Sequence, residues 1–396
     1  MSHVETFHQA ARQVLLFSLS LLLSACANLS YYAQSMDGQF ELMERRQPID
    51  KVMADPATPA SLRDHLQLTQ DARNFASRVL LLPDNGSYRS YADLGRPFAV
   101  WLVVATPPLS VTPRRWCFVF AGCVSYRGYF SEADAQAFAQ KLAEANDDVY
   151  ISGGIAYSTL GWFDDPVLNT MLNRSDSAIA GLLFHELAHQ KLYVKDDTAF
   201  NEAFAVTIER EGMRRWMELR NDATGFENYL ADRQRQDAFY ALLAAYRERL
   251  AAVYASTLPE QQKLDCKRQL FAELRGAYQS FKAAHDNYAG FDKWMARDLN
   301  NAHLALVATY QDLVPGFQHL LATLGGDLTA FYREAERIGK LPEAERETRL
   351  LPETLSSGKR TSTAGLSACR GVAAQGFIRY DSTRLSATQE PKSCAH

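Results

Sequence analysis

The spacing of apolar residues changes along the chain, and the changes divide it into regions. Leu62, Leu66, Phe75, Ala76 and Val79 recur at helical spacing until Pro83-Asp84-Asn85-Gly86 breaks the pattern, which predicts a helix with an apolar core face. From Ser87 to Tyr129 the period shortens. Phe98 to Ala105 is a continuous apolar run of the length of a buried strand, and Trp116 to Phe120 predicts another. Ser131 with Asp134 forms a capping box for a helix to about Ala145, and Asp148 to Ser152 predicts a strand running into Gly153-Gly154. Ile179, Leu182, Leu183 and Leu187 share one face of a helix that Asp176 or Ser177 can cap. Beyond Glu202 the period is helical, with segments near 198–220, 224–256, 259–285, 294–313 and 326–339 whose Tyr, Phe and Leu positions predict a bundle core. From about Leu351 Ser, Thr and Gly dominate, so the segment 351–396 is expected to be disordered. The whole predicts an α+β chain, predominantly helical, with a small mixed β-sheet before about residue 165 and a helical C-terminal region.

Composition narrows the class. A chain of 396 residues with 47% apolar content can bury one large core or two smaller ones, and a net charge of −4 with no basic run argues against a nucleic-acid partner. The apolar run from Val14 to Leu23 behind Arg12 is too short to span a bilayer and reads as a signal peptide over 1–25. Leu23-Ser24-Ala25-Cys26 resembles a bacterial lipobox, which implies lipidation of Cys26 and anchoring by several acyl chains in the cell envelope. Ala27 stands where such lipoproteins commonly carry the Asp that retains them at the inner membrane, so the resemblance implies the outer membrane, facing the periplasm. Export places Cys117, Cys123, Cys266, Cys369 and Cys394 in an oxidising compartment. A Cys117–Cys123 disulfide is expected across Phe118 to Gly122, worth about 2 kcal/mol by chain entropy. Cys266, in a helical stretch, is expected to be an unpaired packing residue, and Cys369 with Cys394 can pair within the tail.

The chemistry concentrates in Phe184-His185-Glu186-Leu187-Ala188-His189 and Asn201-Glu202-Ala203-Phe204-Ala205. Positions four apart on a helix lie one above the other, so His185 and His189 present two imidazoles to one point, where a zinc ion fits. Glu186 projects beside that point as a candidate general base. The first helix can run to about Val194, with Asp197 or Thr198 capping a second, and the climb of about 7.5 Å from His189 to the turn is matched by the descent to Glu202. Glu202 is the candidate third ligand for one Zn²⁺ per chain. Glu209 lies on the same helical face, as a partner for a ligand histidine or as a surface carboxylate.

These residues carry a resemblance. Asn201-Glu202-Ala203-Phe204-Ala205, followed by Glu209, resembles the second zinc-ligand helix of the gluzincin metallopeptidases of the alanyl aminopeptidase type, although their two motifs lie several residues further apart. The chain also resembles a bacterial family of zinc aminopeptidases carried as lipoproteins. That likeness covers roughly 26–350 through Cys26, Trp116-Cys117, Gly122 to Phe130, Tyr157 to Phe163, the zinc motif and Leu299-Asn300-Asn301-Ala302. It implies a zincin-like catalytic core and removal of N-terminal residues from peptides, with Glu186 taking a proton from the attacking water. Ile155 to Leu160 is the expected strand that pairs with substrate backbone, the alternative being a buried turn on the zinc helix. Tyr157 and Tyr193 are candidates for stabilising the oxyanion, and Asp164, Asp165 and Glu209 for binding the substrate's ammonium. Two other classes stay open: a zinc endopeptidase acting on envelope proteins, and a catalytically silent, lipid-anchored interaction protein.

Overall fold

The computed structural model describes residues 31–118, 122–308 and 313–350, and the architecture is predominantly helical with small sheets. The signal peptide over 1–25, Cys26, and the 351–396 tail with Cys369 and Cys394 lie outside the described residues. Among those described, no helix is long and apolar enough to cross a membrane.

The chain enters as helix α1 over 31–44, then a short strand β1 (Gln47–Pro48), α2 (Ile49–Ala54) and α3 (Ala60–Arg78). Strand β2 (Ser90–Ala92) lies between β1, antiparallel, and β8 (Val167–Leu168), parallel. The central sheet has the order β6–β3–β7, all antiparallel, from β3 (Val100–Thr106), β6 (Arg127–Tyr129) and β7 (Asp148–Gly154). β3 is buried on both faces, which is why it appears as an unbroken apolar run. Trp101 and Val103 meet α4 (Glu132–Glu144) through Ala135 and Ala139, while Val104 meets Ala302 on the other side. A two-stranded hairpin, β4 (Trp116–Phe118) with β5 (Gly122–Val124), is closed by the expected Cys117–Cys123 disulfide.

After β8 come α5 (Asn169–Leu172), α6 (Asp176–Lys191) and α7 (Thr198–Leu219), and α6 and α7 form the hairpin that carries the sequence motifs. Phe75 of α3 meets Phe184 of α6 and Trp216 of α7 at ring-centroid separations of 5.6 and 5.1 Å. α7 approaches this close because Gly212 has no side chain: a Cβ there would stand 2.7 Å from the Phe184 ring. Beyond α7, α8 (Ala223–Ala255) and α9 (Glu260–Ala284) pack through Phe239, Leu243, Leu250, Leu270 and Leu274. Short α10 (Asp292–Met295) and α11 (Asn301–Ala308) fasten that pair to the sheet, Asn300 Nδ2 donating to Val149 O at 2.9 Å and Asn301 Nδ2 to Pro108 O at 3.0 Å. α12 (Val314–Thr323), α13 (Leu328–Gly339) and α14 (Glu343–Leu350) return to α7, where Phe204 packs against Phe317, Phe331 and Tyr332.

Several expectations need correction. Helix α6, which carries His185 and His189, is capped by Ser175, whose Oγ accepts from Ala178 N, and not by Asp176 or Ser177. It ends at Lys191 and not near Val194, because the Asn201 side chain takes both Val194 backbone groups, N–H at 2.7 Å and C=O at 2.8 Å, and so pulls the connection out of the helix. Ile155 to Leu160 is no strand: β7 stops at Gly154, and the segment curls into a turn tied to Asp165. The expected 294–313 helix is broken between α10 and α11, where Asn300 and Asn301 turn their side chains to β7 and the loop before β4. Val79 is 36% exposed at the end of α3 rather than core. Cys266 is buried as expected, but it is disulfide-bonded and not unpaired.

Phe204 lies two residues from Glu202 and is fully buried, so Phe204→Ala should cost about 3–5 kcal/mol of unfolding free energy in urea denaturation.

Candidate metal centre

α6 and α7 bring three donors together. His185 Nε2 lies 3.2 Å from His189 Nε2 and 3.3 Å from Glu202 Oε2, and Glu202 Oε1 lies 3.7 Å from His189 Nε2. Ligand atoms placed tetrahedrally at zinc bond lengths would stand roughly 3.3–3.5 Å apart, so the spacing fits one metal ion. One ligand atom from each of the three residues lies within 4.8 Å of the other two.

The connection between the two helices is held from every side. Asp197 caps α7 through Phe200 N at 2.9 Å, and its other oxygen accepts from Arg346 Nε of α14 at 2.8 Å. Asp196, at φ +67°, accepts from Cys123 N of the disulfide hairpin, while Arg115 donates to Asp196 O at 3.1 Å. These contacts set the height of Glu202 against the two histidines.

Glu209 follows Glu202 on the same face of α7, and its side chain is 12% exposed. Its Oε2 lies 3.4 Å from His185 Nδ1 and its Oε1 lies 3.2 Å from Arg233 of α8. That geometry fixes the ring of His185 and leaves Nε2 facing the other donors. His189 has no such support: its Nδ1 is buried without a hydrogen-bond partner.

Burial and crowding set the protonation. Burial pushes the Glu186 carboxyl up to about 7; a charged His185 draws it down, and Glu202, Asp165 and Glu209 push it up. Burial lowers His189 to about 4. His185 is raised well above the usual imidazole value, because hydrogen bonds to Glu202 and Glu209 outweigh the burial that opposes its charge. Glu202 and Glu209 stay low against their burial, held down by the two histidines at Glu202 and by His185 and Arg233 at Glu209.

Among the other expected site residues, Asp165 is 1% exposed, and its two oxygens accept from Thr159 N (2.9 Å) and Thr159 Oγ1 (2.8 Å). Asp164 is exposed. Tyr157 packs on Phe130 at 4.9 Å, and Tyr193 lies beside Asp196 and Glu202. Three residues escaped the sequence reading. Tyr126, between β5 and β6, is raised by burial and by the charges of Glu202 and Glu186. Tyr88 is raised by burial and by Glu186 and Asp165, and Arg233 holds Glu209. None has a local signal, although the disulfide hairpin that leads into Tyr126 was legible.

The model of the family described as "Putative aminopeptidase" matches residues 30–350. No curated protein and no solved structure matches the chain.

Glu209→Gln should weaken divalent-metal binding at this trio roughly 10- to 100-fold in competition with a chromophoric chelator. Asp165 supplies a pH signature. Burial raises its carboxyl from 3.8 to about 6 against the two Thr159 bonds. The folded chain therefore holds this proton more tightly than the unfolded one, and the associated stability, complete below the unfolded value, is lost as pH rises through the folded value. The stability of Asp165→Asn relative to wild type should accordingly climb by about 3 kcal/mol from pH ~3.5 to pH ~7, measured by urea denaturation across pH.

Proposed function

Since the chain belongs to the Putative aminopeptidase family, whose members are peptidases by description, we propose that it is a zinc-dependent aminopeptidase cutting N-terminal residues from peptides in the cell envelope. The observation that carries this reading is the trio His185, His189 and Glu202 at metal-ligand spacing with the Glu186 carboxyl buried among them. A structural metal site has no use for that fourth, proton-accepting group.

His185, His189 and Glu202 would hold the ion, and the two-histidine, one-carboxylate set suits zinc. When bound, zinc acidifies a water and polarises the scissile carbonyl. Glu186 accepts the proton of the attacking water and returns it to the leaving amine. Tyr126 and Tyr193, both near Glu202, are better placed than Tyr157 to donate to the developing oxyanion. Of the three carboxylates considered for the substrate's ammonium, Asp165 and Glu209 have both oxygens engaged, which leaves the exposed Asp164. Export and lipid anchoring through Cys26 belong to the same proposal, supported by the lipobox and by the Cys117–Cys123 bond, which needs an oxidising compartment.

A peptide library with free and with acetylated N-termini, digested and read by mass spectrometry, tests the reading. Stepwise loss of N-terminal residues from the free set alone is expected, and Glu186→Gln should lower kcat roughly 10²- to 10⁴-fold while metal content stays at one ion per chain. Internal cuts in both sets would make the chain an endopeptidase. A fully active Glu186→Gln protein would remove the assigned base.

A further inference from the structure

Two large aromatic side chains are exposed on a hydrogen-bonded turn one helical turn from Glu186, and the reaction as described leaves them without a task. Trp162 is 74% and Phe163 51% exposed, and Trp162 is the most exposed large apolar side chain among the described residues. The turn that carries them is closed by its own hydrogen bonds. Trp162 N donates to Thr159 O at 3.1 Å and Phe163 N to Thr159 Oγ1 at 3.0 Å, while Thr159 is clamped on the buried Asp165. Gly161, at φ +83°, provides the left-handed step the turn requires.

The position follows from α6. Glu186 and Gln190 are four apart and share a helix face. Gln190 accepts from Asn85 Nδ2 at 2.8 Å and donates to Ser87 Oγ at 3.2 Å, and a Cβ on Gly161 would lie 3.6 Å from its Oε1. The turn therefore rests one helical turn beyond Glu186. Its base reaches back to the same carboxyl through Asp165 and through Tyr88, whose backbone N donates to Asp165 O at 2.6 Å. Burying an indole or a phenyl ring fully removes ~150–250 Å² of surface from water, and here both rings keep half or more of their surface exposed. Exposed apolar rings on a turn continuous with the Glu186 face of α6 offer a surface that a substrate side chain can cover.

Building on the peptidase reading, we propose that Trp162 and Phe163 wall a side-chain subsite, making the preferred substrates peptides with a large aliphatic or aromatic residue next to the scissile bond. The test measures kcat/KM of the full chain on aminoacyl-coumarin amides of Ala, Leu and Phe, in wild type, Trp162→Ala and Phe163→Ala. Wild type should favour Leu and Phe, and each variant should lose roughly 10-fold or more on Leu and Phe relative to its change on Ala. An equal loss on all three, or none, overturns the subsite and leaves the peptidase reading standing. A second readout needs no turnover: zinc-loaded Glu186→Gln protein titrated calorimetrically with Leu-, Phe- and Ala-terminated peptides. Tighter binding of the apolar peptides, weakened by Trp162→Ala, supports the subsite even if wild type cleaves nothing. The absence of any such preference refutes it. Co-sedimentation of the full chain carrying Cys26→Ser with phosphatidylglycerol vesicles closes the other route, because vesicle binding lost in Trp162→Ala with substrate preference unchanged would assign the turn to lipid and overturn the proposal.

Discussion

Three glutamates, Glu186, Glu202 and Glu209, are crowded half-buried around the imidazoles of His185 and His189, and this packing of charge sets the terms for the rest of the structure. Carboxylates taken out of water need cations or protons, and an unmatched one costs several kcal/mol. The fold answers residue by residue. Arg233 crosses from α8 to Glu209, His185 is held between Glu202 and Glu209, and Glu186 lifts its own proton affinity. The start of α8 thus serves the site, while the rest of that helix serves a separate core with α9.

The same economy appears in the short connection between α6 and α7. Asn201 closes it from within, Asp197 links it to α14, and Asp196 links it to the disulfide hairpin. A loop free to shift by an ångström would spoil the meeting of Glu202 with the histidines. None of the three contacts touches the donor atoms, yet together they define where those atoms stand.

Local features of this centre were legible in the sequence and distant ones were not. His185, Glu186 and His189 follow from helical spacing, Glu202 from the short hairpin, the Asp197 cap from its side chain, and the Cys117–Cys123 bond from six residues of separation. The helical C-terminal region and the buried strand β3 likewise declare themselves through period and length. What escaped depends on tertiary pairing: Arg233 lies on another helix, Tyr126 follows a hairpin, and Tyr88 reaches Glu186 from a loop after α3. Two of the misreadings share one cause. At Val194 the side chain of Asn201, and at Ile155 to Leu160 the pairing of Asp165 with Thr159, outcompeted the regular structure that apolar spacing favoured.

The grip on the α6–α7 connection also governs the order of events in the life of the molecule. Asp196 finds Cys123 across 73 positions of chain, and Asp197 finds Arg346 across 149. Arg346 is also synthesised long after the two histidines. Both histidines therefore share one local helix from the start, while the height of Glu202 is settled only when contacts of high sequence separation close.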